Sequence, residues 1–173
     1  MGFNSRLTVA LHILTWMALN AQEQPDEVIT SDQVARSVKT NPVVIRRLLS
    51  LLGNAHLVTV QRGTGSGWRL ARLPESITLL DVYHAVEQEG LFALHAHPPS
   101  QHCPVGRGIQ PTLKPLYMAA ESAMQQQLAQ TTLADVLSQT LVHADERPAQ
   151  QRSTEPSPVE KAAGAFRDHE HFL

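Results

Sequence analysis

Cysteine is nearly missing from this chain: position 103 holds the one thiol in 173 residues. One thiol cannot close an intramolecular disulfide, so a disulfide-stapled secreted scaffold is excluded and a cytoplasmic location is the expectation. Long apolar runs are missing too. The longest near the start, residues 9–19, is interrupted by His12 and Thr15 and falls short of a bilayer span. No basic stretch leading into a cleavage site follows Met1, so neither a secretory signal nor membrane association is expected. The third scarcity is local. Between residues 30 and 72 a single acid, Asp32, stands against seven bases. From residue 73 onward there are six bases and twelve acids. The formal net charge of −2 therefore conceals a basic block ahead of an acidic one. The basic block suits a polyanionic partner, with scattered surface charge as the alternative.

What is present reads mainly as helix. Residues 5–20 predict a helix that is apolar nearly all round, with Ser5, Thr8, His12 and Thr15 on one narrow polar stripe. Residues 30–38 predict a short helix with a capping box between Thr30 and Gln33. A turn at Lys39-Thr40-Asn41 leads to Pro42, which suits the first turn of a further helix to about Asn54, with Val44, Leu48, Leu51 and Leu52 facing inward. Two short helices and a tight turn make a helix-turn-helix. Residues 57–61 and 68–72 predict two strands of a hairpin around RGTGSG, with Trp68 beneath it as a core residue. Another helix is expected over 78–89, and an irregular segment over 90–111. One long helix is expected over 112–140; its apolar stripe is too large for so small a domain to cover, which points to a dimer contact, or else to ordinary surface packing. A Pro-, Ser- and Gln-rich tail follows from residue 143.

Helix, helix-turn-helix and hairpin, in that order, make a winged helix, in which the second helix of the pair enters the DNA major groove and the hairpin tip reaches the backbone or minor groove beside it. A wing tip must approach phosphates closely, and Gly63, Gly65 and Gly67 allow that approach and permit positive φ. Arg62 and Arg69 bracket the tip, and a narrow minor groove attracts arginine. Asn41, Val43, Arg46 and Arg47 sit before or in the first turns of the recognition helix, the part that meets base edges. Thr30 and Ser31, at a helix start, can hold a phosphate. Each feature also has a plainer reading, as a tight turn or a solvated helix face. RGTGSG looks superficially like a nucleotide-phosphate loop, but a strand follows it where a helix would be needed.

The stretch ITSDQVARSVKTNPVVIRRLLSLLGNAHLVTVQRGTGSGWRLARLPESITLLDVYHAVE, residues 29–87, preceded by SRLTVALHIL, resembles the Rrf2 family of bacterial winged-helix transcription regulators. RGTGSGWRLAR and PESITLLDVYHAVE are its most specific parts, and the resemblance continues more loosely to about residue 140. It implies a homodimer on a near-palindromic double-stranded DNA operator, with DNA contacts from Thr30, Ser31, Asn41, Val43, Arg46, Arg62, Gly63, Gly65 and Ser66. The chain departs from the family pattern at Ser66-Gly67-Trp68, where many members have Gly-Gly-Tyr, and at Ala55-His56-Leu57, where many have Ala-Gly-Leu. Some members hold an iron–sulfur cluster on three cysteines. Cys103 alone cannot supply that set, so no metal and no cofactor are expected.

The expected architecture is thus mainly α with a small β-hairpin: a winged helix-turn-helix domain (1–89), a sensory loop (90–111), a long C-terminal dimerisation helix (112–142) and a flexible tail (143–173). The loop carries His95, His97, His102 and Cys103. Cys103 with His102 can act as a redox or electrophile sensor, Arg107 helping to lower the thiol's pKa. The three histidines and the thiol can instead bind a transition metal, though their spacing matches no standard zinc pattern. The plain alternative is an inert thiol among solvated histidines. The leading functional reading is a sequence-specific DNA-binding repressor. A winged-helix protein-interaction module is the rival from another class, disfavoured by the basic block. An enzyme using Cys103 and a histidine lacks an orienting third group, so no catalytic residues are expected.

Overall fold

The computed structural model describes residues 5–24, 27–63, 65–87 and 90–146. Its elements run α1 (Ser5–Glu23), α2 (Ser31–Val38), α3 (Pro42–Asn54), β1 (Val58–Gln61), β2 (Gly67–Leu70), a 3-10 turn (Pro74–Ser76), α4 (Leu79–Val86), α5 (Pro104–Ala129) and α6 (Leu133–Asp145). The chain divides into two units, Met1–Leu137 and Ser138–Leu173. In the second, His143 and Glu146 approach to 3.2 Å on the exposed end of α6. α6 runs to Asp145, into the tail expected from residue 143, and the rest of that tail, from 147 onward, lies outside the described residues.

The core of the first unit gathers around α1. Ile13, Leu14 and Met17 are buried there, with Val34 of α2, Ile45, Leu49 and Leu52 of α3, Val82 and Val86 of α4, and Leu133 and Leu137 of α6. The apolar wrap of α1 is used on several sides. Thr15 of its polar stripe is buried, while His12 stays exposed and bonds Ser37 of α2 at 3.1 Å. On α3 the inner face is Ile45, Leu48, Leu49 and Leu52, whereas Val44 and Leu51, expected inside, are only partly buried. Starting at Pro42 sets that phase: 45, 48, 49 and 52 recur at the three- and four-residue steps of one helical stripe.

The helix-turn-helix is closed locally. The Thr30 hydroxyl accepts from Gln33 N–H at 3.2 Å, and the Gln33 side chain accepts from Thr30 N–H at 2.8 Å, forming the expected capping box. Lys39 takes a left-handed conformation (φ 53°) to end α2. Asn41 caps α3, its Oδ1 accepting from Val43 N–H at 2.8 Å.

The strands pair antiparallel with Val60 opposite Trp68 and Gln61 opposite Gly67. A third piece joins this sheet. Ile29, just ahead of α2, exchanges two backbone hydrogen bonds with Trp68, at 2.9 and 2.8 Å. The wing is thereby stitched to the start of the helix-turn-helix. At the far end Arg72 donates to the Ser76 carbonyl and pairs with Asp81 at 3.6 Å.

The long helix expected over 112–140 is two helices. α5 begins eight residues earlier, at Pro104, and ends at Ala129; α6 starts afresh at Leu133. The break has a local cause. Thr132 and Asp135 form a reciprocal cap at 2.9 and 3.2 Å, the same arrangement that Thr78 and Asp81 make at the start of α4. The two helix starts then pair with each other: Leu79 N–H donates to Thr131 and Leu133 N–H to Ile77, at 3.0 and 2.8 Å. The early start follows from Pro104 at the first helical position, where its missing N–H costs nothing. Pro111 and Pro115 lie inside α5, four residues apart and both exposed, so the backbone they deprive of donors has access to water.

Candidate nucleic-acid interface

With 45, 48, 49 and 52 turned to the core, α3 shows the outside Val43, Arg46, Arg47, Ser50 and Asn54, all exposed. The steps 43–47–50–54 place four of these on one stripe. Ser50 and Asn54 were missed by sequence reasoning that stopped at the helix's first turns; continuing the same periodicity finds them.

Ser50 and Asn54 line a cleft of about 510 Å³ together with His56, Thr59, Arg62 and Trp68. Arg62 of the wing and the C-terminal part of the outer face of α3 therefore open onto one space. His56, exposed in the turn after α3, has φ 56°, a left-handed conformation that an L-residue with a Cβ adopts at a cost. Its position corresponds to the glycine of the Ala-Gly-Leu pattern. A second cleft, of about 280 Å³, is lined by Thr30, Ser31, Asp32, Val60, Ser66 and Trp68. It brings the start of α2 beside the wing, so Thr30, Ser31 and Ser66 share a site. The Thr30 hydroxyl also donates to Gln33 at 2.9 Å, which leaves the helix-start backbone as the main donor to any phosphate there.

The glycines of the wing divide by role. Gly63 (φ 97°) and Gly65 (φ 76°) have positive φ and open space around them. Gly67, expected to ease phosphate approach with the others, is buried instead. A Cβ on it would lie 2.8 Å from Val28 Cβ and 3.0 Å from the Ile29 carbonyl oxygen. The bare Cα is needed for the Ile29 segment to reach the sheet. Arg69, expected to bracket the tip, lies partly buried and donates to Gln61 Oε1 at 2.7 Å, bracing the hairpin across its strands. Arg62 is exposed, as are Arg46 and Arg47; Arg46 donates through Nε to the Pro42 carbonyl at 3.3 Å.

Cys103 is exposed at the N-cap of α5, and His95, His97 and His102 are exposed as well. Arg107 turns its guanidinium to the Gln101 carbonyl at 3.0 Å. Among the described residues no three His, Cys, Asp or Glu side chains are grouped to hold a metal, so the four loop residues are not drawn into one ligand set. The Glu87 side chain, just after α4, is only 4% exposed and pairs with Arg6 of α1 at 3.3 Å. Burial, reinforced by Glu121 and Glu87, pushes the Tyr83 phenol above its ordinary value. Among the described residues no helix is long and apolar enough to cross a membrane.

A helix-turn-helix stitched to a two-stranded wing, with an outward recognition helix, defines a winged-helix transcriptional regulator. The comparisons agree on the class and narrow it. The model of the Rrf2 family, described as an iron-dependent transcriptional regulator, matches residues 3–139, and the chain belongs to that family. It is 44% identical over 135 residues to YwnA of Bacillus subtilis (strain 168), a candidate HTH-type transcriptional regulator, covering 78% of this chain and 96% of that one. A crystal structure described as a candidate DNA binding protein is 39% identical, with a TM-score of 0.61 over 76% of this chain and 98% of the other. The structure of CymR, the global cysteine regulator of B. subtilis, shares the fold at 22% identity and a TM-score of 0.59, over 80% of this chain and 97% of that one. Family membership makes the protein a regulator and not an enzyme. The family description names iron, but the donors present do not fit a thiolate-held iron cluster. The chain has one cysteine, exposed, and the histidines around it are not gathered with it.

Proposed function

We propose that this protein binds a two-fold symmetric double-stranded DNA operator as a homodimer in the cytoplasm and acts as a repressor. The observation that carries this reading is the cleft that Arg62 of the wing shares with Ser50 and Asn54, at the C-terminal end of the exposed stripe that begins at Val43. One duplex laid along that cleft meets the recognition helix in its major groove and the wing at its backbone or minor groove. The start of α2 capped by Thr30, with Ser31 and Ser66, takes a phosphate beside it; Asn41, Val43, Arg46 and Arg47 face base edges; Arg62, Gly63 and Gly65 form the wing contact, and Arg69 holds the wing in shape.

The dimer is supported by α5. It runs 26 residues without one buried residue, and Val105, Leu116 and Met118 are each at least 60% exposed. Exposed apolar side chains along one long helix, which otherwise touches α4 and stacks Tyr117 on Phe92 at 4.8 Å, are most simply covered by the same helix of a second copy. Cys103 at its N-cap, with His102 alongside, is where an oxidant or electrophile would act on the helix that joins the two recognition units.

The test is a salt titration of duplex binding, with the duplex selected from a random pool. Arg62→Ala weakens binding by about 1–3 kcal/mol if the side chain reads the groove, and lowers the salt slope by about 1 if it meets a phosphate. An unchanged dissociation constant and slope refute the wing assignment. Repeating the titration with oxidised Cys103→Ser tests the input: a variant that still releases DNA under oxidant removes the thiol from the reading.

A further inference from the structure

Val43 is 64% exposed in the first turn of α3. A single exposed valine is ordinary on a protein surface. This one stands where a recognition helix presents side chains to base edges, in the turn before Arg46 and Arg47. Its backbone is pinned, because its N–H is taken by Asn41 Oδ1 at 2.8 Å. Its side chain is β-branched and therefore stiff at χ1. An isopropyl group can neither donate nor accept a hydrogen bond. Of the features displayed in the major groove, only the 5-methyl of thymine is apolar.

Arg46 lies three residues on, so its Cβ is about 5–6 Å from that of Val43 on the same face. Its Nε is spent on the Pro42 carbonyl, one turn back toward the helix start. That bond draws the arginine stem toward the Val43 turn and engages Nε rather than the Nη pair, the fork that fits guanine O6 and N7.

We infer that Val43 reads the 5-methyl group of a thymine and Arg46 a guanine within two base pairs of it, one such pair in each half-site. The inference rests on the DNA-binding reading above and adds its base preference. It follows from the placement of these two side chains, so it predicts which atoms of the DNA matter.

The experiment starts from the duplex that the full chain selects from a random pool. Each thymine is replaced in turn by deoxyuridine, which removes only the methyl, and each guanine by 7-deazaguanine, which removes N7. One buried methyl corresponds to about a 4-fold change in affinity per half-site. The expected result is one deoxyuridine position per half-site that weakens wild-type binding by that factor and leaves Val43→Ala unaffected, while Val43→Ile keeps the sensitivity. A 7-deazaguanine position within two base pairs should weaken the wild type and leave Arg46→Ala unaffected. Thermal unfolding of the variants checks that these exposed substitutions leave the fold intact. If no deoxyuridine position distinguishes wild type from Val43→Ala, or the Val43-dependent thymine lies more than two base pairs from the Arg46-dependent guanine, the inference is overturned while DNA binding stands. If the pool yields no enriched duplex, both fall together.

Discussion

Gly67→Ala is the substitution that most directly tests how the wing is held. The added Cβ would stand 2.8 Å from both Cβ and Cγ2 of Val28 and 3.0 Å from the Ile29 carbonyl oxygen. Val28 Cβ is fixed to the backbone, so no rotamer change removes the clash. Two responses are open. The segment stays paired and the strand bears an overpacking strain of about 1–3 kcal/mol. Alternatively it lifts away, and the two Ile29–Trp68 hydrogen bonds are lost at about 1 kcal/mol each. These are alternatives, not a sum, so the less costly one sets the scale at about 2 kcal/mol. A stiffer unfolded chain returns up to about 1 kcal/mol. The net loss is about 1–2 kcal/mol, a urea midpoint shift of roughly 0.5–1 M for a domain of this size. Amide hydrogen exchange adds the decisive local readout. Whether the segment lifts away or stays paired under a strain that local opening relieves, the Ile29 and Trp68 amides should lose protection in Gly67→Ala and keep it in Gly65→Ala, where the added methyl meets open space and only the positive φ is strained. Unchanged protection at both amides in Gly67→Ala would refute the reasoning, whatever the midpoint does.

Two further outcomes are expected. His56→Gly should stabilise the protein by about 0.5–1 kcal/mol, because it relieves a left-handed L-residue and gives back part of that gain as chain entropy; a lower melting temperature would contradict this. The Thr132 hydroxyl, and then its N–H, hold the Asp135 carboxyl below its ordinary value. A depressed folded value means that this group's contribution is present above the usual aspartate range and is lost as the pH falls through the folded value. Thr132→Val should move the Asp135 titration, followed by carboxyl NMR, back up toward the ordinary range, and an unmoved titration would show that the cap is not its cause.

The helix-turn-helix was legible because its signals are local. Thr30 with Gln33, Asn41 before Pro42, and the glycines around the wing tip each act within a few residues. The outer face of α3 was legible only in part. Ile45 was left out of the inner stripe, and Ser50 and Asn54 out of the outer one, although the same periodicity covers all three. The break between α5 and α6 was written in the chain as TLADV (132–136), which opens with the same Thr-x-x-Asp cap as TLLDV (78–82) at the start of α4. It was hidden by the apolar stripe that runs across it. The early start of α5 lies within the segment expected to be irregular, which holds prolines at 104 and 111. One begins the helix, and the other sits on its exposed side, where the lost hydrogen bond matters least.

By itself the sequence determined the order of elements through the wing, the caps of the helix-turn-helix, the charge of the first half and the family, since all of these depend on residue type and short spacing. Tertiary structure decided which basic residues remain available. Arg69 and Arg72 were indistinguishable from Arg62 by composition, yet one braces the hairpin and the other ties it to α4. It also decided that Gly67 serves packing while Gly63 and Gly65 serve the turn, because the segment at Val28 and Ile29 that needs the space lies nearly forty residues away in the chain. Pairing across such a distance depends on where the core brings two segments together, and no local pattern records it.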